Sequence, residues 1–385
     1  QSLVTRVEGV AGQPRFSMLE TIREFGQERL AATGELAAAR RRHAGWFLDL
    51  AVAAGPQLTG TDQGEWLDRC DLEHANLRAA LAWAVEAGET GRALEAAAAL
   101  WRFWQQRGHL SEGRRRLEEL LALPSAQGKT PALAKTRAKA LAAAGGIAWW
   151  QEDIAAARGF YQEALAIERE LGVQRGIADA LYNQAFVAAA EGDFEGAFRG
   201  FEESLELFRR AGDEAGAARA DWMIVIRDLA AGRWDRPIAK AEEAVAIWRR
   251  AGARFDLGTG LVWTAVVYAR AGRMADAKAA MREALELFRE ADSPIGIVSV
   301  LQGLTYLARW DDRHTDAVRL AGAADALREQ LGGRAPLDFL AGFLGDPEAE
   351  SRAHLPQATA ARAFEEGRAL TVDAALATAT GPPGR

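Results

Sequence analysis

A chain of 385 residues is long enough for two or three ordinary domains, or for one elongated repeat array. Its 49% hydrophobic and 26% charged residues exclude a disordered chain, and a net charge of -7 argues against a large sequence-independent grip on nucleic acid. The single cysteine, Cys70, excludes an internal disulfide and fits a cytoplasmic location, and no apolar run approaches the ~20 residues of a membrane span.

In chain order, the β-branched stretch SLVTRV (Ser2–Val7), the turn-like EGVAGQP and a second short strand at Arg15–Leu19 predict a β-hairpin. The start lacks a basic segment followed by an apolar core, so no signal peptide is expected. It also lacks Met, as expected of a fragment of a longer polypeptide. ETIREFGQERLAATG predicts a helix, with Ile22, Phe25, Arg29 and Leu30 at helical spacing and Gly34 as its stop. A lone two-stranded hairpin is marginal in water, so it is expected to pack on this helix or on an upstream segment. From Leu36 onward Ala, Leu, Glu and Arg dominate and predict helices throughout. Ala39–Gly55 is expected to be one helix. Asp62–Gly88 is expected to be a single long one, with Asp62 and Glu65 as a capping box. GRALEAAAALWRFWQQRG and LSEGRRRLEELLAL predict a helix pair, and Pro124–Pro131 a loop.

Beyond that loop the sequence repeats every 40 residues. Small residues recur at Ala157, Ala197, Pro237, Ala277 and Ala317, and again seven positions on at Ala164, Ser204, Ala244, Ala284 and Ala324. Between them lie Tyr161, Phe201, Ala241, Met281 and Ala321. Gly172, Gly212, Gly252, Asp292 and Gly332 close the second helix of each unit, and Leu141, Leu181, Asp221, Leu261 and Leu301 mark the first. Five units run in register, and a more divergent sixth precedes them. One helical hairpin cannot bury its own apolar face, so neighbouring units must stack. Small residues let the two axes approach, and the large residue between them fills the next groove.

The small–large–small edge preceded by Gly-x-aromatic resembles the second helix of a tetratricopeptide repeat, whose usual length is 34 residues. The wider layout resembles the C-terminal half of actinobacterial regulators built on STAND-class NTPases, including the large ATP-binding LuxR-type and SARP-type proteins. The matching stretches are RFSMLETIREFGQERLAATGE, RRRHAGWFLDLA, WLDRCDLEHANLRAALAWA, LWRFWQQRGHLSEGRRRLEELLA and AFEEGRALTVDAALATA. The resemblance implies an all-α, right-handed superhelix of helical hairpins. It makes residues 1–35 the end of a winged-helix domain, 36–90 a helical connector, 91–332 six tetratricopeptide-like repeats, and 333–385 a C-terminal helical cap and tail.

Chemistry-bearing motifs are sparse. GKT at Gly128–Thr130 lacks the glycine five residues earlier, where Leu123 stands, and no strand precedes it, so it reads as a polar loop. ATP or ADP is expected only in an upstream domain, and no cofactor in this chain. His43, His74, His109, His314 and His354 show no ligand spacing, so no metal site is expected. Glu202–Glu203 and Glu242–Glu243 recur with the repeat, and the arginine runs Arg40–Arg42 and Arg114–Arg116 lie near acidic residues. Both patterns predict solvated helix faces. No nucleophile, base and orienting group can be assembled, so no catalytic residue and no enzyme activity are expected.

The twelve tryptophans are the unusual feature; Trp101, Trp104, Trp149 and Trp150 fall in the first helices of two consecutive units. Tryptophan serves both as core filler and as binding anchor. In a tetratricopeptide superhelix the first helices line the inner face. Carrying the resemblance onto that face gives Arg102, Gln105, Trp149, Tyr182, Phe186, Trp222, Gln302 and Tyr306, with Trp150 and Trp310 one position further round. The expected function is a non-catalytic sensor arm that binds a protein partner or small inducer there and controls an upstream NTPase domain of the same polypeptide. The alternative is a repeat scaffold for self-association or autoinhibition. No helix-turn-helix segment is recognisable, so direct nucleic acid contact is not expected. ATGPPGR reads as a linker or terminus.

Overall fold

The computed structural model describes residues 3–8, 14–128, 130–230, 232–233, 235–331 and 344–379. The expected turn at 9–13, the expected stop at Gly332 and the expected tail at 380–385 lie outside them. Two strands, β1 (Thr5–Glu8) and β2 (Pro14–Ser17), pair antiparallel with Thr5 opposite Ser17. The described elements after them are all helices. The first half comprises α1 (Glu20–Ala32), α2 (Leu36–Gln57), α3 (Gln63–Leu72), α4 (His74–Glu86), α5 (Thr90–Gln106), α6 (Leu110–Leu121), α7 (Pro131–Trp150) and α8 (Ile154–Leu171). Then come α9 (Gln174–Ala190), α10 (Phe194–Arg210), α11 (Glu214–Ala230), α12 (Asp235–Ala251), α13 (Arg254–Arg270), α14 (Met274–Glu290), α15 (Pro294–Trp310) and α16 (His314–Leu331). Three short helices, α17 (Pro347–Ala353), α18 (Gln357–Arg368) and α19 (Val372–Ala379), complete the described chain. The protein is an all-α, tetratricopeptide-like array of helical hairpins with a small hairpin of strands at its start.

The 40-residue period has a local cause. Each of α9 to α15 is 17 residues long. Most of the links between them are three residues, and a left-handed residue sits inside: Gly192, Gly212, Gly252 and Gly272 at φ 86°, 68°, 64° and 80°. Where the link has no glycine, Asp292 and Asp312 take the same conformation at φ 44° and 56°. Asp tolerates that region better than most residues. The residue after the left-handed one returns the chain into the next helix. Asp193 donates its N–H to Ala188 O of the helix just ended, at 2.9 Å. Its Oδ1 accepts from Gly196 N of the next helix at 2.8 Å. Asp153 and Asp213 cap α8 and α11 in the same way.

The small positions of the repeat are buried as stacking requires, from Ala157, Ala197, Ala277 and Ala317 to Ala164, Ser204, Ala244, Ala284 and Ala324. Pro237 lies in the first turn of α12, where a missing N–H breaks no intrahelical bond. Asp221, the polar exception in the leucine column, is held by Lys240 Nζ at 3.1 Å.

The expectation for residues 62–88 fails. Residues 62–88 form two helices rather than one, with a break at Glu73 (φ -100°, ψ 9°). The bend lets Leu67 and Cys70 of α3 join Leu77, Ala80 and Ala84 of α4 in one core. Asp62 precedes α3, but its side chain makes no capping hydrogen bond. Among the described residues the hairpin and α1 share no core with the rest, and packing on an upstream segment stays an expectation. No residue of α1 is buried; Phe25 is 60% exposed, and Phe16, Leu19 and Trp46 of α2 stand equally open.

The array curls until its ends meet. Arg107, just after α5 and only 7% exposed at its side chain, reaches Asp292 after α14 at 2.7 Å. It also pairs with Asp68 and Asp71 of α3, the latter at 2.8 Å. Beside this clasp, Ala291 is buried in the core of the N-terminal half. The start of α3 comes so close that a Cβ on Gly64 would stand 2.9 Å from Glu290 O. The C-terminal helices seal α15 and α16. Gly322 of α16 and Gly367 of α18 allow backbone contact, since a Cβ on Gly367 would fall 1.9 Å from Arg319 O. Among the described residues no helix is long and apolar enough to cross a membrane.

Replacing Arg107 by Ala removes the only cation of this clasp among its described contacts. The exposed aspartates regain water, so the expected loss is about 1.5–3 kcal/mol, the range of hydrogen bonds to charged groups. Chemical denaturation is expected to show that loss, and small-angle X-ray scattering an increased radius of gyration. Unchanged dimensions would show that the ends are held together without Arg107.

Candidate functional site

Closure turns the inner faces of the first helices toward one another around a cavity of about 190 Å³. Helical spacing selects what each helix contributes, because residues three, four and seven apart share a face. From α13 come Asp256, Thr259, Gly260 and Trp263; from α11, Arg219, Trp222 and Met223; from α9, Tyr182, Asn183 and Phe186. Helix α7 gives Gly146, Trp149 and Trp150, and α5 gives Trp101 and Arg102. Tyr161 of α8, Trp248 of α12 and Phe255 of α13 complete the wall.

The aromatic rings pack on one another. Phe186 meets Trp149 at 5.8 Å and Tyr182 at 5.1 Å between centroids, and Trp222 meets Trp263 edge to face at 6.2 Å. Two glycines make room for the largest of them. A Cβ on Gly146 would lie 2.9 Å from Trp101, and one on Gly260 would lie 2.1 Å from Trp248. Glycine within a helix costs about 0.5–1 kcal/mol relative to Ala, and here it seats an indole against each helix backbone.

Two guanidinium groups enter this aromatic wall. Arg102 lies 3.8 Å from the Trp101 ring centroid and 4.9 Å from that of Phe255, and donates to Gln105 Oε1 at 2.8 Å. No carboxylate comes within ion-pair distance of it among the described residues. Burial pushes its pKa down to about 10 against the pull of Asp256, so it remains charged at neutral pH. Arg219 lies 4.8 Å over Tyr182 and donates to Asp179 Oδ1 at 3.1 Å. Burial alone would lower it, but Asp256 and Asp179 outweigh burial and hold it above its usual value. Asp256 is the only carboxylate in the described wall. Trp222 is 5% exposed, and its Nε1–H has no hydrogen-bond acceptor.

Of the residues placed on the inner face from the sequence, Arg102, Trp149, Tyr182, Phe186 and Trp222 line the cavity, as does Trp150. Three do not. Gln105 is 1% exposed and holds Arg102 from behind. Gln302 is half-buried on α15. Tyr306 is buried, with its hydroxyl donating to Gly345 O at 3.2 Å and its ring 5.3 Å from Trp310. Helix α15 meets α5 and the C-terminal helices, so its side chains serve closure instead of the cavity. The residues missed include Arg219, Asp256 and Trp263. Arg219 sits three positions ahead of Trp222, so helical spacing alone places it on the same face. Tyr161 and Trp248 come from second helices, and the repeat pattern marks Tyr161 as a stacking residue only. Four of the five histidines meet in pairs, His74 with His109 at 4.5 Å and His314 stacked on His354 at 4.2 Å, while His43 meets Phe47 at 4.7 Å.

No protein-family model matches this sequence. Over 177 residues, 44% of the chain, it is 32% identical to a protein of Mycobacterium tuberculosis described as a putative HTH-type transcriptional regulator, and it matches the Mycobacterium bovis counterpart equally. The chain spans about a fifth of the length of these relatives, 19% in each case. Among solved structures it is similar to a Rap protein complexed with competence and sporulation factor, at 11% identity and a TM-score of 0.47, covering 83% of this chain and 99% of that one. It is also similar to BtubC of P. vanneervenii, at 19% identity and a TM-score of 0.39, covering 64% and 92%.

Proposed function

We propose that this chain is the non-catalytic sensor and interaction arm of a STAND-type transcriptional regulator. A ligand or partner held inside the array controls an NTPase module elsewhere in the same polypeptide, and ATP or ADP belongs to that module. The observation that carries this reading is the cavity's construction: its walls come from α5 and from α13, which only closure of the array brings together. An occupant that touches both biases closure, and a change in closure can be felt by whatever the array adjoins. The partial likeness to a transcriptional regulator supports the same direction. It extends over a fifth of that protein, so the regulatory role of the whole polypeptide belongs to the proposal.

One observation favours a second reading, a scaffold that self-associates or holds a neighbouring domain shut. Phe16, Leu19, Phe25 and Trp46 form an unusually apolar exposed set at the start of the chain. Size-exclusion chromatography with light scattering separates the two. The sensor reading expects a monomer. A tight dimer that dissociates on a Phe25→Ser/Trp46→Ser change would favour the scaffold.

The sensor reading expects that a Trp149→Ala/Tyr182→Ala variant loses partners that the unaltered chain retains, in calorimetry and in pull-down. Identical capture by both proteins would remove the cavity from the function. Gly260→Ala is expected to drive Trp248 toward the cavity, with a shift in tryptophan fluorescence and the roughly 1–3 kcal/mol cost of overpacking. Partner affinity should fall with it. Unchanged affinity would place the binding surface elsewhere.

A further inference from the structure

An aromatic box ordinarily suggests a cationic guest. Here the cation positions are already taken from within the chain. Arg102 lies against the Trp101 and Phe255 rings, and Arg219 over Tyr182. A guanidinium stacked through its face keeps its N–H edge free for in-plane hydrogen bonds, the geometry that suits a carboxylate. Arg219 has Asp179 as a direct partner, whereas Arg102 donates directly only to the neutral amide of Gln105, with Asp256 acting on it from beyond ion-pair distance. A second donor points the same way: the buried Nε1–H of Trp222, in the wall of the same cavity, has no acceptor. Buried donors without partners are costly, and an acceptor-rich guest removes that cost. Size narrows the guest further. A dry cavity of about 150 Å³ takes a benzene ring, so about 190 Å³ holds one ring and a small polar group.

From this geometry we infer that the cavity binds a small monoanionic aromatic acid, its ring among the tryptophans and its carboxylate on Arg102 and the Trp222 N–H. The inference rests on the sensor reading, since it names what the cavity would sense. The volume matches a carboxylate of one ring, and Asp256 disfavours a second negative charge on the guest.

The test uses the whole 385-residue chain and five probes: phenylacetate, its neutral isostere phenylacetamide, phenethylammonium, L-phenylalanine and ringless acetate. Binding is followed by calorimetry and by tryptophan fluorescence. Phenylacetate is expected to bind at least tenfold more tightly than phenylacetamide or acetate. Arg102→Gln should shrink that gap, costing phenylacetate more affinity than phenylacetamide, because only the carboxylate forms a charge-assisted bond with the guanidinium. Trp222→Phe, which keeps the ring and removes the donor, should narrow it, and thermal melts confirm that each variant is folded. Equal or tighter binding of phenylacetamide or phenethylammonium overturns the anion preference and leaves the cavity as a ligand site. Tighter binding of L-phenylalanine overturns it in favour of a zwitterion whose ammonium meets Asp256. If no probe binds at millimolar concentration the inference fails, while the sensor reading stands or falls separately on the Trp149/Tyr182 variant.

Discussion

The length of the link between helices governs this structure. A three-residue turn with one left-handed residue reverses the chain and returns it after a 17-residue helix, so every second helix presents the same face at the same height. Only glycine takes that conformation without cost, and aspartate is among the few that tolerate it. A link one residue longer would rotate the following helix by about 100° and move its buried stripe off the neighbouring unit. The small–large–small edge of the second helices then sets how closely the units stack. The first helices are left to face inward.

Stacking alone yields an open spiral. What converts it into a container is the meeting of α5 and α3 with the chain after α14, where Arg107 gathers three aspartates. Two consequences follow. The inner face splits into a part enclosed between α5 and α13 and a part, on α15, that is consumed by closure and by the C-terminal helices. The enclosed part also brings arginines and one carboxylate out of water. Their interactions are strengthened there relative to an exposed surface. Arginine stacked on indole in such a setting acts as a fixed donor array with little freedom left to lose on binding.

The helical array was legible in the sequence because its cause is local and repeated. Gly212 and Gly252 mark turns, and Ala197, Phe201 and Ser204 mark the stacking edge, each echoed 40 residues away. The inner face was legible in part, since Tyr182 and Trp222 occupy one column and Phe186 follows by one turn. Closure was not legible. The Arg107–Asp292 pair spans 185 residues, and nothing periodic announces it. Without closure there was no sign that Gln302 and Tyr306 leave the shared face, or that the charge of Asp256 acts on both Arg102 and Arg219. The break at Glu73 was hidden for a similar reason. Residues 62–88 are helical by composition, and only the need to pack both halves on one core bends them.

The claim on which the rest depends is that the two ends of the array meet in solution. Spin labels on cysteines placed at the exposed positions Glu65 of α3 and Glu286 of α14 would measure it directly. Cys70 does not interfere, because burial pushes its thiol up to about 12 and leaves it unreactive at neutral pH. A closed array predicts one narrow distribution at short distance in pulsed dipolar spectroscopy. A broad distribution centred at long distance would mean an open spiral, in which no cavity between α5 and α13 exists to be filled.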